Sequence, residues 1–323
     1  LRIATRRPGF YQLQSANLTA SRVLAHWPHG DVGFATGIDW RNEQMDAGTS
    51  EEVLSGTELR PAINLINGER EVIAGYVELD LPVAAGLNVN TAVRADSYDD
   101  FGSAVSPKVS AYYLLNDAWL LRGSWSQGFR APGLPEISQS NTISYDSVID
   151  PNDPVEPGVR RGFTQLRSGN AELEAERSTN VNFGAVWSPT REFSAAIDYF
   201  KIEQDDIISP DNAQYIINNE AEFADRVQRD EAGRLQIITN QYTNQGTRTV
   251  SGIDVDLSYR FAAFGGAAEI VSNWSHLLDY EQALVVGATP IDGAGTNQFG
   301  ALPKWQGRTV AKWQRNHWTL ALS

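Results

Sequence analysis

Residues Leu121–Ile137 read LRGSWSQGFRAPGLPEI, and the first half of this stretch sorts its side chains by a period of two. With Trp119 just ahead of it, Leu121, Trp125 and Phe129 fall on one face of an extended strand, while Arg122, Ser124, Ser126 and Arg130 fall on the other. The alternation stops at Pro132 and Pro135, which lack the N–H a ladder needs. A strand with one large apolar face and one polar, cationic face meets two different surroundings. The apolar face lies against either a protein core or lipid, and the rest of the chain must decide which.

The same pattern recurs along most of the sequence. Val32, Phe34, Ile38 and Trp40 alternate with Gly33, Ala35, Gly37, Asp39 and Arg41. Ile73, Val77, Leu79 and Leu81 oppose Tyr76, Glu78 and Asp80, and Leu87, Val89, Val93 and Ala95 oppose Asn88, Asn90, Arg94 and Asp96. The cleanest case is 249–261, where Ile253, Val255, Leu257, Tyr259 and Phe261 face one way and Asp254, Asp256, Ser258 and Arg260 the other. About twelve segments come close to the roughly 9–11 residues that a tilted strand needs to cross a bilayer. The connections between them alternate in length. Short turns are expected at 26–31, 83–86, 116–117, 188–191, 262–266 and 314–317, and longer, mostly polar loops between, with 99–106 the shortest of these. A membrane barrel keeps such parity because one rim carries tight turns and the other large loops, whereas a sandwich or propeller has no reason to. The expectation is an all-β, antiparallel transmembrane barrel wall whose Ile253–Val255–Leu257–Tyr259 stripe faces lipid. Within the long excursion 203–245, Glu220, Phe223, Ala224 and Val227 have helical spacing and Glu231-Ala232-Gly233 reads as a turn.

Composition narrows the function. The 323 residues carry 40 acidic against 26 basic side chains, a net charge of −14 that argues against a nucleic-acid surface. With no cysteine, neither disulfides nor thiolate metal sites are available. No run of eighteen apolar residues predicts a membrane helix. There is no signal-peptide core at Leu1, and Ser323 falls inside an apparent strand, so both ends are expected to be cut. His26 and His29 share a tight turn without a third ligand nearby. Asp146, Asp150, Asp153 and Glu156 make an acidic loop without the spacing of a calcium-binding hand, and are read as a solvated loop. No carboxylate pair, nucleophile elbow or phosphate loop stands out, and no cofactor is expected.

Three stretches resemble one family. Gly128-Phe129-Arg130-Ala131-Pro132 with Leu134-Pro135-Glu136 resembles the strand-end motif of TonB-dependent outer-membrane receptors. Gly169-Asn170-Ala171-Glu172-Leu173-Glu174-Ala175-Glu176-Arg177-Ser178 is similar to the family's lead into the next strand, with Ala175 where proline is usual. Thr249-Val250-Ser251-Gly252-Ile253-Asp254 is similar to a later strand start. The resemblance implies that 1–323 is part of a barrel of about twenty-two strands that encloses a plug. It further implies a bacterial outer-membrane location, short periplasmic turns, long extracellular loops, and uptake of a scarce ligand such as a ferric siderophore. Energy would come from the TonB–ExbB–ExbD complex through an N-terminal box, and neither plug nor box is expected within this stretch. The partners implied are therefore lipid, plug, energy transducer and small ligand, without nucleic acid.

On this reading the inward-facing charges are the candidates for ligand or plug contact: Arg94, Asp96, Arg122, Arg130, Asp254, Asp256 and Arg260. Gly128 leaves room for close approach between Arg122 and Arg130, although both arginines equally suit pairing with acidic groups of the wall or anchoring of a plug. Two other classes share parts of the pattern. A passive porin or adhesin has the same barrel signature, and a soluble β-rich carbohydrate-active protein would bury its aromatic faces against other protein. Loop parity sets a test. In whole cells making the intact protein, an epitope tag near Asn152 should be accessible and one at Asn116 hidden, the long loops 42–70, 133–177 and 207–245 behaving alike. A mixture of exposed and hidden tags among the long loops would sink the barrel reading.

Overall fold

In the computed structural model, which describes residues 8–49, 53, 63–283 and 289–323, the alternating segments are strands, each hydrogen-bonded antiparallel to its neighbour. The chain opens with β1 (Gly9–Trp27), β2 (Gly30–Ala47), β3 (Ile63–Ala84), β4 (Leu87–Tyr98), β5 (Gly102–Asn116) and β6 (Trp119–Arg130). Then come a short helix α1 (Leu134–Ile137), the hairpin β7 (Asn141–Asp150) and β8 (Val159–Ser168), and β9 (Glu176–Thr190) with β10 (Phe193–Pro210). Helix α2 (Ala213–Asn218) and β11 (Val227–Arg229) precede β12 (Leu235–Ala263), β13 (Gly266–Ala283), β14 (Ile291–Asp292), β15 (Trp305–Arg315) and β16 (Trp318–Leu322). Of the sixteen strands, β7, β8, β11 and β14 stand off the main path, and the other twelve form one meander from β1 to β16. Among the described residues no ladder joins β1 to β16. No described helix is long and apolar enough to cross a membrane.

All six expected tight connections are two-residue turns: Pro28-His29, Ala85-Gly86, Asp117-Ala118, Arg191-Glu192, Phe264-Gly265 and Asn316-His317. They occupy one rim. The opposite rim carries the long excursions, of which the link 99–101 is shorter than the expected 99–106.

The ladder registers assign the faces. Leu121 stands opposite Ala185, which pairs with Ile197, then Val255, then Trp274, so these residues form one row across five strands. Leu121, Ile197, Val255 and Trp274 remain 42, 51, 40 and 44 % exposed in the isolated sheet, as do Leu18, Ile38, Ile73 and Val105 at 57 % or more. So many large apolar groups aimed away from protein on one face mark a surface built for lipid. Nearer the short turns, Trp119, Trp187, Phe193, Tyr259 and Phe261 form a run of ring contacts across β6, β9, β10 and β12 at centroid spacings of 5.9, 5.3, 6.0 and 5.0 Å, the first and last stacked and the middle two edge to face. Amphipathic rings in a continuous row belong at a membrane–water interface. The expected stripe Ile253–Val255–Leu257–Tyr259 is on this outward face, with Leu257 in the row of Trp119 and Trp187.

Strands reach further than alternation shows. β2 continues to Ala47 and β3 begins at Ile63, so 42–70 is not one long loop; residues 50–52 and 54–62 lie outside the described set. Likewise β10 runs to Pro210 and β12 starts at Leu235, which shortens the excursion expected at 203–245. The physical reason is that above the lipid neither face of a strand has to be uniformly apolar. The two-residue period then vanishes while the hydrogen bonds persist. The helix lies at 213–218, not at Glu220–Val227, because the Asn212 side chain accepts the Gln214 and Tyr215 N–H groups and starts it there. Phe223 and Val227 flank a single 3-10 turn, Ala224–Arg226, although both pack on the loop core. The turn at Gly233 is present, with φ of 77°.

These rows make depth testable. Ile197→Arg, one outward row deeper into the lipid face, should destabilise the folded protein by about 2–4 kcal/mol, and Leu257→Arg, in the aromatic row, by only about 0–1 kcal/mol. Denaturant refolding into bilayers measures both, and equal costs would contradict the assigned depths.

Candidate ligand-binding site

The inward face is polar and its charges are mostly spoken for. Arg94 holds Asp96 on its own strand, with Nε–Oδ2 at 3.0 Å, and Asp39 two strands away, with Nη1–Oδ2 at 2.7 Å, reaching across the small side chain of Ala74. Arg122 binds Asp198 through Nε–Oδ1 at 2.8 Å and Nη2–Oδ2 at 2.5 Å, although β9 lies between their strands. The residue of β9 in that row is Gly184, and a Cβ there would lie 1.9 Å from Asp198 Oδ1. The glycine is thus the opening through which the pair forms. Asp198 also stands directly opposite Asp254, so Arg122 relieves a like-charge cross-strand pair. Asp256 accepts from Asn273, and Arg260 pairs with Glu269 at 2.7 Å.

Arg130 sits elsewhere, at the long-loop rim. Its guanidinium bridges Glu136 at 2.9 Å and Glu176 at 2.6 Å. Glu136 in turn accepts the Gly133 N–H at 2.6 Å, and Glu176 the Ile208 N–H at 2.8 Å. A second cation that the sequence did not single out, Arg70, is 4 % exposed, binds Asp100 and the Pro132 carbonyl, and lies over the Tyr98 ring. The candidates therefore do not converge on one site. They are a wall network, Arg94 with Asp96 and Arg122 with Asp198, and a rim clasp around Arg130.

What does converge lies in the long loops. β7 and β8 pair as a hairpin, β8 runs parallel to 237–241 of β12, and the tip of β3 joins β7. Val148, Phe163, Ala213, Ile216, Ile217, Leu235 and Ile238 close a small apolar core beneath them. Arg229 locks it, holding Asp150 at 2.8 Å and Glu220 at 2.7 Å with both ends of its guanidinium. Arg161 holds Asp153 at 2.9 Å and Glu156 at 2.6 Å, so three of the four carboxylates of the acidic loop are held by arginines, and Asp150 and Asp153 are buried, which corrects the expected solvated loop. Among the described residues no cluster of His, Asp and Glu is arranged for a metal ion. His26 contacts Asp31 in its turn at 2.6 Å.

Beside this core is a cavity of about 1080 Å³ between β7, β8, the end of β10, α2 and upper β12. One wall presents Tyr215, Phe223 and Arg226, the rings 5.9 Å apart and the guanidinium 5.3 Å over Phe223. The other presents Arg160, Gln165 and Arg167, the last lying 5.7 Å over the Tyr242 ring. Arg167 Nε is buried without a hydrogen-bond partner among the described residues. Cations backed by aromatic faces suit a polyanionic, ring-bearing ligand. Periodicity could not flag these loop residues. The available signal was that Arg160, Arg161 and Arg167 crowd one segment of an acidic chain.

The fold is a barrel wall with a lipid belt, a charged interior and a structured loop cap, and the TonB dependent receptor-like β-barrel family model matches residues 4–323. The chain belongs to that family. This TonB-dependent receptor barrel is 27 % identical over 174 residues to the iron-regulated outer membrane virulence protein of Vibrio cholerae, covering 54 % of this chain and 22 % of the relative. It is 24 % identical over 184 residues to the ferric enterobactin receptor PirA of Pseudomonas aeruginosa, 55 % of this chain and 24 % of that protein. A crystal structure of a mutant of the ferric enterobactin receptor PfeA from Pseudomonas aeruginosa superposes with a TM-score of 0.66 at 14 % identity, over 96 % of this chain and 40 % of that one. The chain thus spans less than a quarter of these curated relatives' length in the matched region and about two fifths of the solved receptor. As a member of this family the protein resides in the bacterial outer membrane, short turns toward the periplasm and long loops outside.

The receptor's loop cap carries its own pH dependence. Arg229 holds the Asp150 and Glu220 carboxyls below their usual range, and the Glu156 and Val155 N–H groups, with Arg161, hold Asp153 down at about 2. Carboxyls depressed by folding stabilise the cap fully above about pH 4, their unfolded range, and that contribution is lost as pH falls through the lowered folded values. Limited proteolysis of the loops between pH 7 and pH 2 should show opening only in the acid range. Arg229→Gln should move that opening to higher pH, and an unmoved profile would remove Arg229 as the lock.

Proposed function

We propose that the chain forms barrel wall and outer binding loops of a receptor that imports an anionic iron chelate of the siderophore type. The observation that carries this reading is the loop cavity of about 1080 Å³, with Arg160, Arg167 and Arg226 beside Tyr215 and Phe223. A drug-sized ligand is usually enclosed by roughly 300–1,000 Å³, so a bulky chelate fits the scale. The relatives carry iron-regulated and ferric enterobactin names, which supports an iron ligand. Transport then follows in physical steps. The chelate binds between the arginines, and the polar wall containing Arg94, Asp96, Arg122, Asp254, Asp256 and Arg260 receives a plug and the passing solute. The TonB–ExbB–ExbD complex supplies the work by pulling on that plug. The ligand undergoes no covalent change, so the protein acts as a transporter and not as an enzyme.

The test uses the full-length receptor in an iron-starved outer-membrane host and a radiolabelled ferric tricatecholate. Binding should survive a protonophore while uptake stops. Replacing Arg160 and Arg167 together by Gln should weaken binding at least about 100-fold, since each charge-assisted hydrogen bond is worth about 1.5–3 kcal/mol. Uptake that continues without a proton-motive force, or wild-type binding in the double variant, would overturn the reading.

A further inference from the structure

The three arginines of the cavity are not equivalent. No carboxylate partner holds Arg160 or Arg167 among the described residues; Arg160 reaches Ser147, and Arg167 reaches Gln165. Arg226 instead donates to Asp211 Oδ2 at 2.5 Å. That carboxylate is itself built in. Its other oxygen accepts the Thr243 hydroxyl at 3.1 Å and the Gln245 amide at 2.5 Å, and its main chain is tied to β12 by Asn240 and by the Gln241 carbonyl. Asp211 is only 10 % exposed, while Arg226 is 27 % exposed and lines the cavity with it. A fixed negative charge therefore stands among the three arginines that attract anions; the other carboxylate of the lining, Asp146, accepts the Ser147 N–H and has no such anchorage on β12. Its anchorage on Thr243 and Gln245 keeps it there whatever enters.

We infer that Asp211 sets the charge selectivity of the cavity, compensating Arg226 so that affinity for the most highly charged chelates is held down relative to less charged ones of similar size. This rests on the cavity being the ligand site. With Asp211 in place, Arg226 contributes hydrogen bonding and a stacked face but little net charge. The unpaired Arg160 and Arg167 then supply the attraction. One charge acting on a trianion across about 10 Å in a water-like dielectric changes affinity about tenfold.

The experiment compares two probes on the full-length receptor, a trianionic ferric tricatecholate and an uncharged ferric trihydroxamate, by equilibrium binding at low ionic strength. Asp211→Asn should tighten the trianion about tenfold and leave the uncharged complex within about twofold. Arg226→Gln, which leaves Asp211 uncompensated, should weaken the trianion by more than tenfold with a much smaller effect on the uncharged complex. Heat-modifiability on gels confirms that each variant is folded. An unchanged ratio of the two affinities in folded Asp211→Asn overturns the role of Asp211, whatever Arg226→Gln shows. The Arg160→Gln/Arg167→Gln receptor separates the two failures. Loss of trianion binding there with an unchanged Asp211→Asn ratio rejects only this inference, and no effect of any variant rejects the cavity itself.

Discussion

Lipid offers no hydrogen-bond partners, so every peptide group at membrane depth must be satisfied by another strand. That requirement governs the rest of this molecule. It makes the twelve-strand ladder continuous from β1 to β16 and forbids irregular backbone between the rims. It also forces side chains to alternate strictly between two media, because a strand that must pair on both edges can orient its side chains only outward or inward. The outward set becomes apolar and stays exposed, as with Ile197 and Val255, while the inward set can keep charge, as with Arg94 and Arg122.

This is why the wall was readable from sequence and the cap was not. The two-residue period of Thr249–Phe261 follows from the medium, and all six turns are present, with Asp117-Ala118 and Arg191-Glu192 each running one residue past the stretches expected at 116–117 and 188–191. Above the lipid no face is required to be apolar along its length, so β2 beyond Arg41 carries no period, and β12 before Thr249 instead buries Leu235 and Ile238 in the cap core. The cap folds instead around non-local contacts. Ile216 and Ile238 meet Phe163, and β8 pairs with β12 across some seventy positions of chain. No local pattern encodes such a pairing. The inward charges were identifiable as inward, but not as partners, since Arg122 reaches Asp198 only through the opening at Gly184.

The three motifs that marked the family are explained by a single belt at the outer rim. Arg130 ties the first motif to Glu136 and, through Glu176, to the end of the second. The second motif lies on the first: Gly169 and Asn170 donate their N–H groups to the Ser140 and Glu136 carbonyls, and a Cβ on Gly169 would lie 2.0 Å from the Ser138 oxygen. The Asn170 side chain then donates to the Tyr242 carbonyl, and Asn244 clasps the backbone at Glu174 and Asp206. Tyr242 and Asn244 stand on β12 only a few residues above the third motif. Arg70 closes the belt from the other side by holding the Pro132 carbonyl. A strand that must stop pairing at Pro132 leaves free backbone groups at the edge of the lipid, and these contacts are where those groups are satisfied.

The belt also divides the labour within β12. Its 29 residues run unbroken from Leu235 in the cap core, past Thr243 and Gln245 beside the cavity, to Asp254 and Asp256 on the inner wall and Phe261 at the periplasmic aromatic row. Side chains along it change company every few residues, yet the backbone is one strand throughout, paired with β8 and β11 in the cap, with β10 from Tyr242 downward and with β13 from Thr247 downward. Movement of the cavity walls therefore cannot be absorbed by a flexible joint between loop and barrel at this strand. It must be taken up by the side-chain ties of Asp211 and Asn244 or by the register irregularity where β10 meets β12 at Gln204–Ile208. A β-bulge bends a strand at small cost where continuous pairing would resist it. The same continuity that satisfies the backbone in lipid thus confines adaptation of the cap to a narrow band just above the membrane, between the Arg130 clasp and the floor of the cavity.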